Sequence, residues 1–249
     1  MSHAAPRVAV RHGGDGLRLA ARTVGQLLIT VGVVILLFVV YELWGTSFYT
    51  RAQQHHLESV LQEQWRHGGV EISQQSVTDV PLGSGIAVLR IPRFGNGYHM
   101  VIVEGTGYED LKKGPGHYPG TALPGQVGNF SVAGHRTTYL APFNRIDTLR
   151  SGDFIVLETQ KMWFTYEVEN VPAVRGYPAV PFREIVDPSD VAVAFAVPDQ
   201  PDAAAKPRLK LLTFTSCNPK YQAVQRIVVH AKLTEARLKT LGPPSSLVG

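Results

Sequence analysis

The chain has 249 residues with a formal net charge of +4 and one cysteine, a length that suits one domain with additional segments. Lysines and arginines are scattered without a basic run, which argues against nucleic-acid binding. A single cysteine excludes an intramolecular disulfide and cysteine-rich zinc motifs, and frequent Gly, Pro, Val, Thr and Tyr favour short strands joined by turns.

An apolar segment near the N-terminus predicts a membrane-spanning helix. Residues 24–41 carry no charge, and with Leu43 and Trp44 the stretch reaches about 20 residues, enough to cross a bilayer. Arginines concentrate before it, so the positive-inside rule predicts a cytoplasmic tail at 1–23, a transmembrane helix at 24–44 and an extracellular remainder. A cleaved signal peptide is the alternative, but no small-x-small cleavage site follows.

Residues 45–85 predict an extracellular stalk and linker. Within them, 46–67 form a predicted helix, because apolar residues from Leu57 to Trp65 recur at intervals of three and four. Two glycines break it, and residues 70–85 are polar with turn signals, which predicts a linker. Whether this linker folds as a lid over a site in the following domain is left open.

Residues 86–235 predict an all-β domain, with an unstructured C-terminal tail at 236–249. Eight β-branched runs are separated by Pro and Gly turn signals, and they lie at 86–91, 100–103, 130–134, 154–158, 163–168, 191–197, 209–216 and 226–233. Short helical turns are expected at 148–152 and 181–186. Eight short strands with few helices predict a closed barrel or a sandwich.

Cys217 is a candidate nucleophile. It ends a strand-like run and precedes Asn218 and Pro219, and because proline stops a strand ladder we expect the cysteine at a rim. Packing in a core is the alternative for a lone cysteine. Arg226 opens the next strand-like run. If the two strands are neighbours, its guanidinium returns close to Cys217, where it favours a thiolate and can donate hydrogen bonds to an oxyanion.

A histidine is the residue type that would move protons for such a cysteine. His135 ends the run 130–134 beside a turn, much as Cys217 ends its own run. His230 lies within a strand and is interpreted as structural, whereas His99 and His117 lie near turns and could line a cleft. The sequence does not show that His135 faces Cys217, because catalytic residues assemble in space.

Several of these segments together resemble the sortases, and among them class E. The family pattern is Thr-Leu-x-Thr-Cys at a strand end, then an arginine opening the next strand, with a histidine upstream. The strand end here reads Thr213-Phe214-Thr215-Ser216-Cys217, in which Phe214 and Ser216 depart from the pattern but keep apolar and hydroxyl character. Similar blocks are GPGHYPGTALPGQVGN at 114–129, AGHRTTY at 133–139 and CNP at 217–219. The resemblance covers residues 86–233.

The resemblance implies an eight-stranded sortase-type β-barrel with short helices and an active site at one end. It implies that Cys217 cleaves a C-terminal sorting signal, of the LAxTG or LPxTG type, between Thr and Gly through a thioester. His135 is then the proton-transfer partner and Arg226 the oxyanion stabiliser. The implied partners are surface proteins bearing the signal and a lipid II-like peptidoglycan precursor, whose amine accepts the surface protein at the cell membrane.

Three further residues are candidates for substrate contacts: Thr215, Ser216 and Asn218. The first two could equally well pack within the strand, and Asn218 could instead orient His135 or form a turn. We expect no cofactor and no metal, since there is no acidic cluster of the kind calcium requires. Two alternatives stay open. One is an enzyme of the L,D-transpeptidase type, against which Pro219 argues because it replaces that family's arginine, and the other is a non-catalytic, membrane-tethered β-domain.

Overall fold

The computed structural model describes residues 14–41, 46–173, 177–200 and 206–248, in two compact units, Met1–Gly45 and Thr46–Gly249. In the first unit helix α1 spans Gly14–Val40. Its stretch Arg18–Val40 is long and apolar enough to cross a membrane, and its side chains are exposed. An all-round apolar helix of this length suits a lipid environment. The predicted tail and the end of the predicted span lie partly outside the described residues.

The second unit begins with helix α2, Thr46–His67, so the predicted helix at 46–67 is confirmed. Leu57 and Leu61, four residues apart, share one face of the helix and are buried. They pack on valines of the first two strands, Val88, Val101 and Val103. The helix gives way at Gly68, whose φ of +74° suits glycine. This buried face packs α2 against the first two strands.

Nine strands form one sheet in the part of the chain that the structure describes. They are β1 (Gly85–Arg90), β2 (His99–Glu104), β3 (Gly116–His117), β4 (Gly128–Ala133), β5 (Phe154–Glu158), β6 (Met162–Val168), β7 (Arg183–Val186), β8 (Lys210–Asn218) and β9 (Gln225–Leu238). The order β6-β5-β1-β2-β3-β4-β8-β9 closes through a β6–β9 pairing, while β7 pairs with β9 alone. The eight-stranded barrel that we expected is therefore confirmed.

The short helices lie in the connections between strands. Helix α3 covers Tyr108–Leu111, and 3₁₀ turns occur at Ile72–Gln74, Pro92–Phe94, Ile146–Thr148, Ala192–Ala194, Lys239–Leu241 and Ser245–Leu247. The barrel interior is filled by inward side chains such as Leu212 and Phe214 of β8. Because side chains alternate along a strand, Thr215 and Cys217 lie on the outer face of β8.

Three local predictions are wrong. The run 191–197, expected as a strand, contains a 3₁₀ turn at Ala192–Ala194, because its apolar residues pack over the sheet instead of pairing with it. Residues 181–186, expected as a helical turn, contain strand β7. The tail expected to lack structure continues β9 to Leu238, and the amide of Lys239 donates to the carbonyl of Lys161 at 2.8 Å.

The segment 70–85 is held at the end of the barrel away from Cys217. The Glu71 carboxylate accepts a hydrogen bond from the Lys161 amide at 2.7 Å, and Gln126 donates to two carbonyls of the segment at 3.1 and 2.8 Å. Lys161 precedes β6, whose first residue pairs with the end of β9. Gln126 precedes β4, whose first residue pairs with the start of β8. Since Cys217 lies near the end of β8, these contacts argue against a lid.

Candidate active site

Cys217 is the second-last residue of β8 and is partly exposed. The next strand, β9, returns antiparallel beside it, and the register places Arg226 directly opposite Cys217. Directly opposed residues in an antiparallel pair have Cβ atoms about 5 Å apart. The two strand-like runs noted in the sequence are therefore neighbours, and the short connection between them brings the arginine back to the cysteine.

Strand β4 flanks β8 on its other side. The two strands are parallel, and the last registered pair is Ala133 with Thr215. The ladder continues beyond it, because the Gly134 amide donates to the Thr215 carbonyl at 3.1 Å and the Ser216 hydroxyl donates to the Gly134 carbonyl at 2.7 Å. Extending this register by one more residue brings His135, just beyond the end of β4, level with Cys217. The cysteine thus has the histidine on one side and Arg226 on the other.

The imidazole of His135 is half-buried, and burial lowers its pKa from the ordinary value of a histidine. Its Nε2 atom is buried and makes no hydrogen bond within the part of the chain that the structure describes. The ring contacts that of Tyr139, with 5.1 Å between ring centres. Near neutral pH this burial favours the uncharged imidazole, which is the form that can accept a proton.

Arg226 is held by the backbone of the β8–β9 connection. Its Nη1 donates to the carbonyls of Ala223 and Gln225 at 3.1 and 3.0 Å. Among the described residues its Nε and Nη2 have no hydrogen-bond partner, so they can donate to a substrate oxygen. Nearby, hydrogen bonds from Ser189 lower the pKa of Asp187, and the positive charge of Arg226 adds to this effect.

The three candidate substrate contacts occupy different positions. The Thr215 hydroxyl lies on the same face as Cys217 and is 2.8 Å from the Tyr118 hydroxyl. Ser216 is buried, and its hydroxyl donates a hydrogen bond to the Gly134 carbonyl. The Asn218 side chain bonds to Arg136 and Gln225, and no hydrogen bond joins it to His135 among the described residues. A substrate contact for each of the three stays a prediction.

Sequence reasoning missed two residues beside this site, Tyr118 and Arg136. Both lie within the blocks 114–129 and 133–139 that carry the resemblance, which was the only signal available for them. A charged residue beside a turn is normally exposed, so nothing in the sequence indicated that Arg136 is 5% exposed.

Comparison with known proteins identifies the family. The family model described as Sortase domain matches residues 89–234. Sortase SrtE1 of Streptomyces coelicolor is 35% identical over 237 residues, which cover 92% of this chain and 62% of that protein. The chain thus spans about three-fifths of the length of this relative.

Solved structures give the same result. The SrtF sortase from Corynebacterium diphtheriae is 35% identical with a TM-score of 0.63, covering 71% of this chain and 98% of that one. Sortase E from Streptomyces avermitilis is 38% identical with a TM-score of 0.56, covering 67% of this chain and 99% of that one. The chain therefore belongs to the sortase family, whose members are cysteine transpeptidases, and it resembles the class E sortases in particular.

Proposed function

We propose that this chain is a membrane-anchored sortase that cleaves a C-terminal sorting signal and transfers the cleaved protein to a cell-wall amine. The observation that carries the proposal is the position of Cys217 at the open end of β8, between His135 at the end of β4 and Arg226 at the start of β9. This is the arrangement that acyl transfer through a thioester requires: a nucleophile, a proton carrier and a cationic donor.

The first half-reaction forms the acyl-enzyme. The thiol proton of Cys217 passes to the neutral imidazole of His135, and the sulfur attacks the carbonyl carbon of the signal's threonine. The carbonyl oxygen becomes negative, and Arg226 donates hydrogen bonds to it. His135 then protonates the departing glycine nitrogen, the carbon–nitrogen bond breaks, and a thioester to Cys217 remains.

The second half-reaction releases the product. An amine of a lipid II-like peptidoglycan precursor attacks the thioester carbon while His135 accepts its proton. The carbon–sulfur bond breaks, and the Cys217 sulfur regains the proton from His135. The surface protein is then joined to the precursor by an amide bond, and the site returns to its starting state.

The membrane orientation is part of the same proposal. Helix α1 contains one stretch, Arg18–Val40, that is long and apolar enough to span a bilayer. Of four arginines in this part of the chain, those at positions 7 and 11 precede the stretch and those at 18 and 22 lie within its first five residues. The positive-inside rule then leaves the N-terminus in the cytoplasm and the catalytic unit on the outer side, where surface proteins and the precursor meet.

The test is peptide cleavage by the whole 249-residue chain in detergent micelles. Fluorogenic peptides carrying LAxTG and LPxTG are incubated with and without glycine or diaminopimelate-type amines, and products are identified by mass spectrometry. We expect cleavage between Thr and Gly, a covalent acyl adduct on Cys217, and an amide product when the amine is present. The Cys217→Ala variant should lose both cleavage and adduct.

Ser59→Ala is the control, because this serine is exposed on helix α2 and the change leaves the thiol in place. Cleavage that persists in Cys217→Ala would refute Cys217 as the nucleophile. If the folded chain left both peptides intact and formed no adduct, the proposed substrate class would be wrong.

A further inference from the structure

Arg136, the residue after His135, has an unusual environment for an arginine. Its side chain is 5% exposed, whereas arginines are seldom buried unless their charge is compensated. Its one carboxylate partner among the described residues, Asp147, lies 3.2 Å from Nη2 and is itself 53% exposed, so this ion pair is largely screened by solvent. The compensation therefore has to come from hydrogen bonds elsewhere.

Those hydrogen bonds reach the end of β8. Nη1 of Arg136 donates to the Cys217 carbonyl at 3.1 Å and to the Asn218 side-chain oxygen at 2.8 Å. One guanidinium nitrogen thus joins the residue after the proposed proton carrier to the backbone of the proposed nucleophile. The two residues lie 81 positions apart in the chain, so this contact depends on the tertiary fold.

A second set of contacts holds the backbone of the same loop. The Asn144 side chain donates to the Arg136 carbonyl at 3.0 Å, and Lys220, beyond the end of β8, donates to the Asn144 side chain at 2.9 Å. The Phe143 amide donates to the His135 carbonyl at 3.0 Å. The loop that carries His135 is therefore fastened to the loop that follows Cys217 at both side-chain and backbone level.

The arrangement also has a cost. The Nε atom of Arg136 is buried and has no hydrogen-bond partner within the described residues. An unsatisfied buried donor destabilises a fold, because the hydrogen bond it made to water is not replaced. An apolar side chain could fill the same space without this cost. The cost therefore indicates that the hydrogen bonds by which the arginine connects the two loops are its role here.

We propose that Arg136 is a positioning residue that keeps the imidazole of His135 level with the sulfur of Cys217. This inference rests on the proposed function, because it concerns proton transfer between those two groups. Reacting groups must be held to within a fraction of an ångström, and a shift of about 1 Å can reduce the rate by about 100-fold. Arg136 makes no hydrogen bond to the Cys217 sulfur among the described residues and acts through the two residues that it connects.

The first test separates catalysis from stability. In Arg136→Gln we expect kcat for peptide cleavage to fall by about 10- to 100-fold, with KM within about two-fold of the parent chain. Arg136→Lys keeps the positive charge but replaces the planar guanidinium and its several donors with a single ammonium group, so we expect it to restore part of kcat. Arg90→Gln is the matched control, because it breaks the part-buried Arg90–Glu158 pair elsewhere in the barrel.

Kinetics of this kind overturn the proposal if Arg136→Gln and Arg90→Gln lower the unfolding temperature alike and both leave kcat unchanged. They also overturn it if Arg136→Gln raises KM alone, because that pattern indicates a role in substrate binding.

The second test does not depend on a peptide substrate. Cys217 is the only cysteine of the chain, so the rate of alkylation by iodoacetamide reports on this thiol alone. Within the described residues, the charged groups linked to it by the contacts above are Arg136, Arg226, Lys220, Asp147 and Asp187, beside His135. We expect Arg136→Gln and His135→Gln to change the pH dependence of alkylation in the same direction, and the double variant to resemble His135→Gln, because each change removes the same pairing.

The outcomes distinguish the two proposals. If His135→Gln alters the profile and Arg136→Gln does not, the positioning role is refuted while the proposed site stands. If neither alters it, His135 does not act on Cys217, and both proposals fail. If alkylation behaves as expected but no peptide is cleaved, the positioning role stands and the substrate class of the proposed function is wrong.

Discussion

Two regions of the outer face of β8 hold a neighbouring histidine in opposite ways. At the open end, His135 stands level with Cys217, and its Nε2 atom makes no hydrogen bond among the described residues. Four residues earlier on β8, about 13 Å away, Thr213 lies opposite His230 of β9. His230 is fully buried, with Nδ1 at 2.8 Å from the Thr213 hydroxyl and Nε2 at 2.9 Å from the Glu184 carboxylate.

The region around Thr213 on the outer face of β8 is also covered by another segment of the chain. The turn after β7 lies over it, and its carbonyls accept hydrogen bonds from β4: Asn129 donates to Phe195 at 3.0 Å and Ser131 to Ala194 at 2.9 Å. A buried histidine whose two ring nitrogens both make hydrogen bonds, as His230 does, has a structural role. One with a free nitrogen at an open strand end can move a proton. Position and hydrogen bonding, not residue type, separate the two roles.

The largest expected effect follows from replacing His135. His135→Gln removes the proton carrier, so we expect kcat for peptide cleavage to fall by about 100- to 10,000-fold. Stability should change little, because the substitution removes only a ring contact with Tyr139. The imidazole makes no hydrogen bond among the described residues, so none is lost. Steady-state kinetics together with thermal unfolding check this. Retained cleavage at the parental rate would show that the contrast between the two histidines has no functional meaning.

The opposite result is expected for His230. His230→Gln cannot keep both the Thr213 and the Glu184 contacts, and it leaves buried polar groups unsatisfied. We expect the free energy of unfolding to fall by about 2–4 kcal/mol, with kcat per folded molecule within about two-fold of the parent. Urea unfolding followed by tryptophan fluorescence gives the free energy of unfolding. The fraction of chains whose Cys217 can be alkylated gives the number of active sites by which kcat is divided. A large loss of kcat at unchanged stability would contradict the assignment.

Much of the fold was predictable because local patterns determine it. The β-branched run 154–158 coincides with β5, and the periodic run 46–67 coincides with α2. The predictions failed where tertiary contacts override the pattern. The apolar run 191–197 covers β4 instead of pairing with a strand, and the four residues of β7 become a strand only because β9 offers them a partner.

The site divides in the same way. The pairing of Cys217 with Arg226 follows from two consecutive strands joined by a short connection, so sequence reasoning could anticipate it. The position of His135 depends on the parallel register of β4 with β8, which no local pattern encodes, and only the family resemblance indicated it. Arg136 was missed altogether, because its burial depends on acceptors at the end of β8 that lie 81 and 82 positions away.

The smallest expected effect concerns the environment that keeps His135 uncharged. Burial lowers its pKa, so between that lowered value and the ordinary value near 6.5 the folded chain binds fewer protons at this site than the unfolded chain does. Protonation of His135 is therefore penalised in the folded chain, so stability rises with pH across that window and falls as the pH drops through it. Tyr139→Gly removes the ring that covers the imidazole and suits the backbone φ of +52° at this position.

We expect the pKa of His135 in Tyr139→Gly to move up toward the ordinary value, and the acidic limb of the pH–rate profile to move to higher pH with it, because neutral imidazole then forms only at higher pH. Titration of the histidine ring signals by NMR, with His135→Gln to assign the resonance, measures the first change. Tyr221→Ala is the matched control, since that tyrosine is 81% exposed in the β8–β9 connection. An unchanged or lowered pKa in Tyr139→Gly would mean that the barrel itself, and not the tyrosine, keeps His135 neutral.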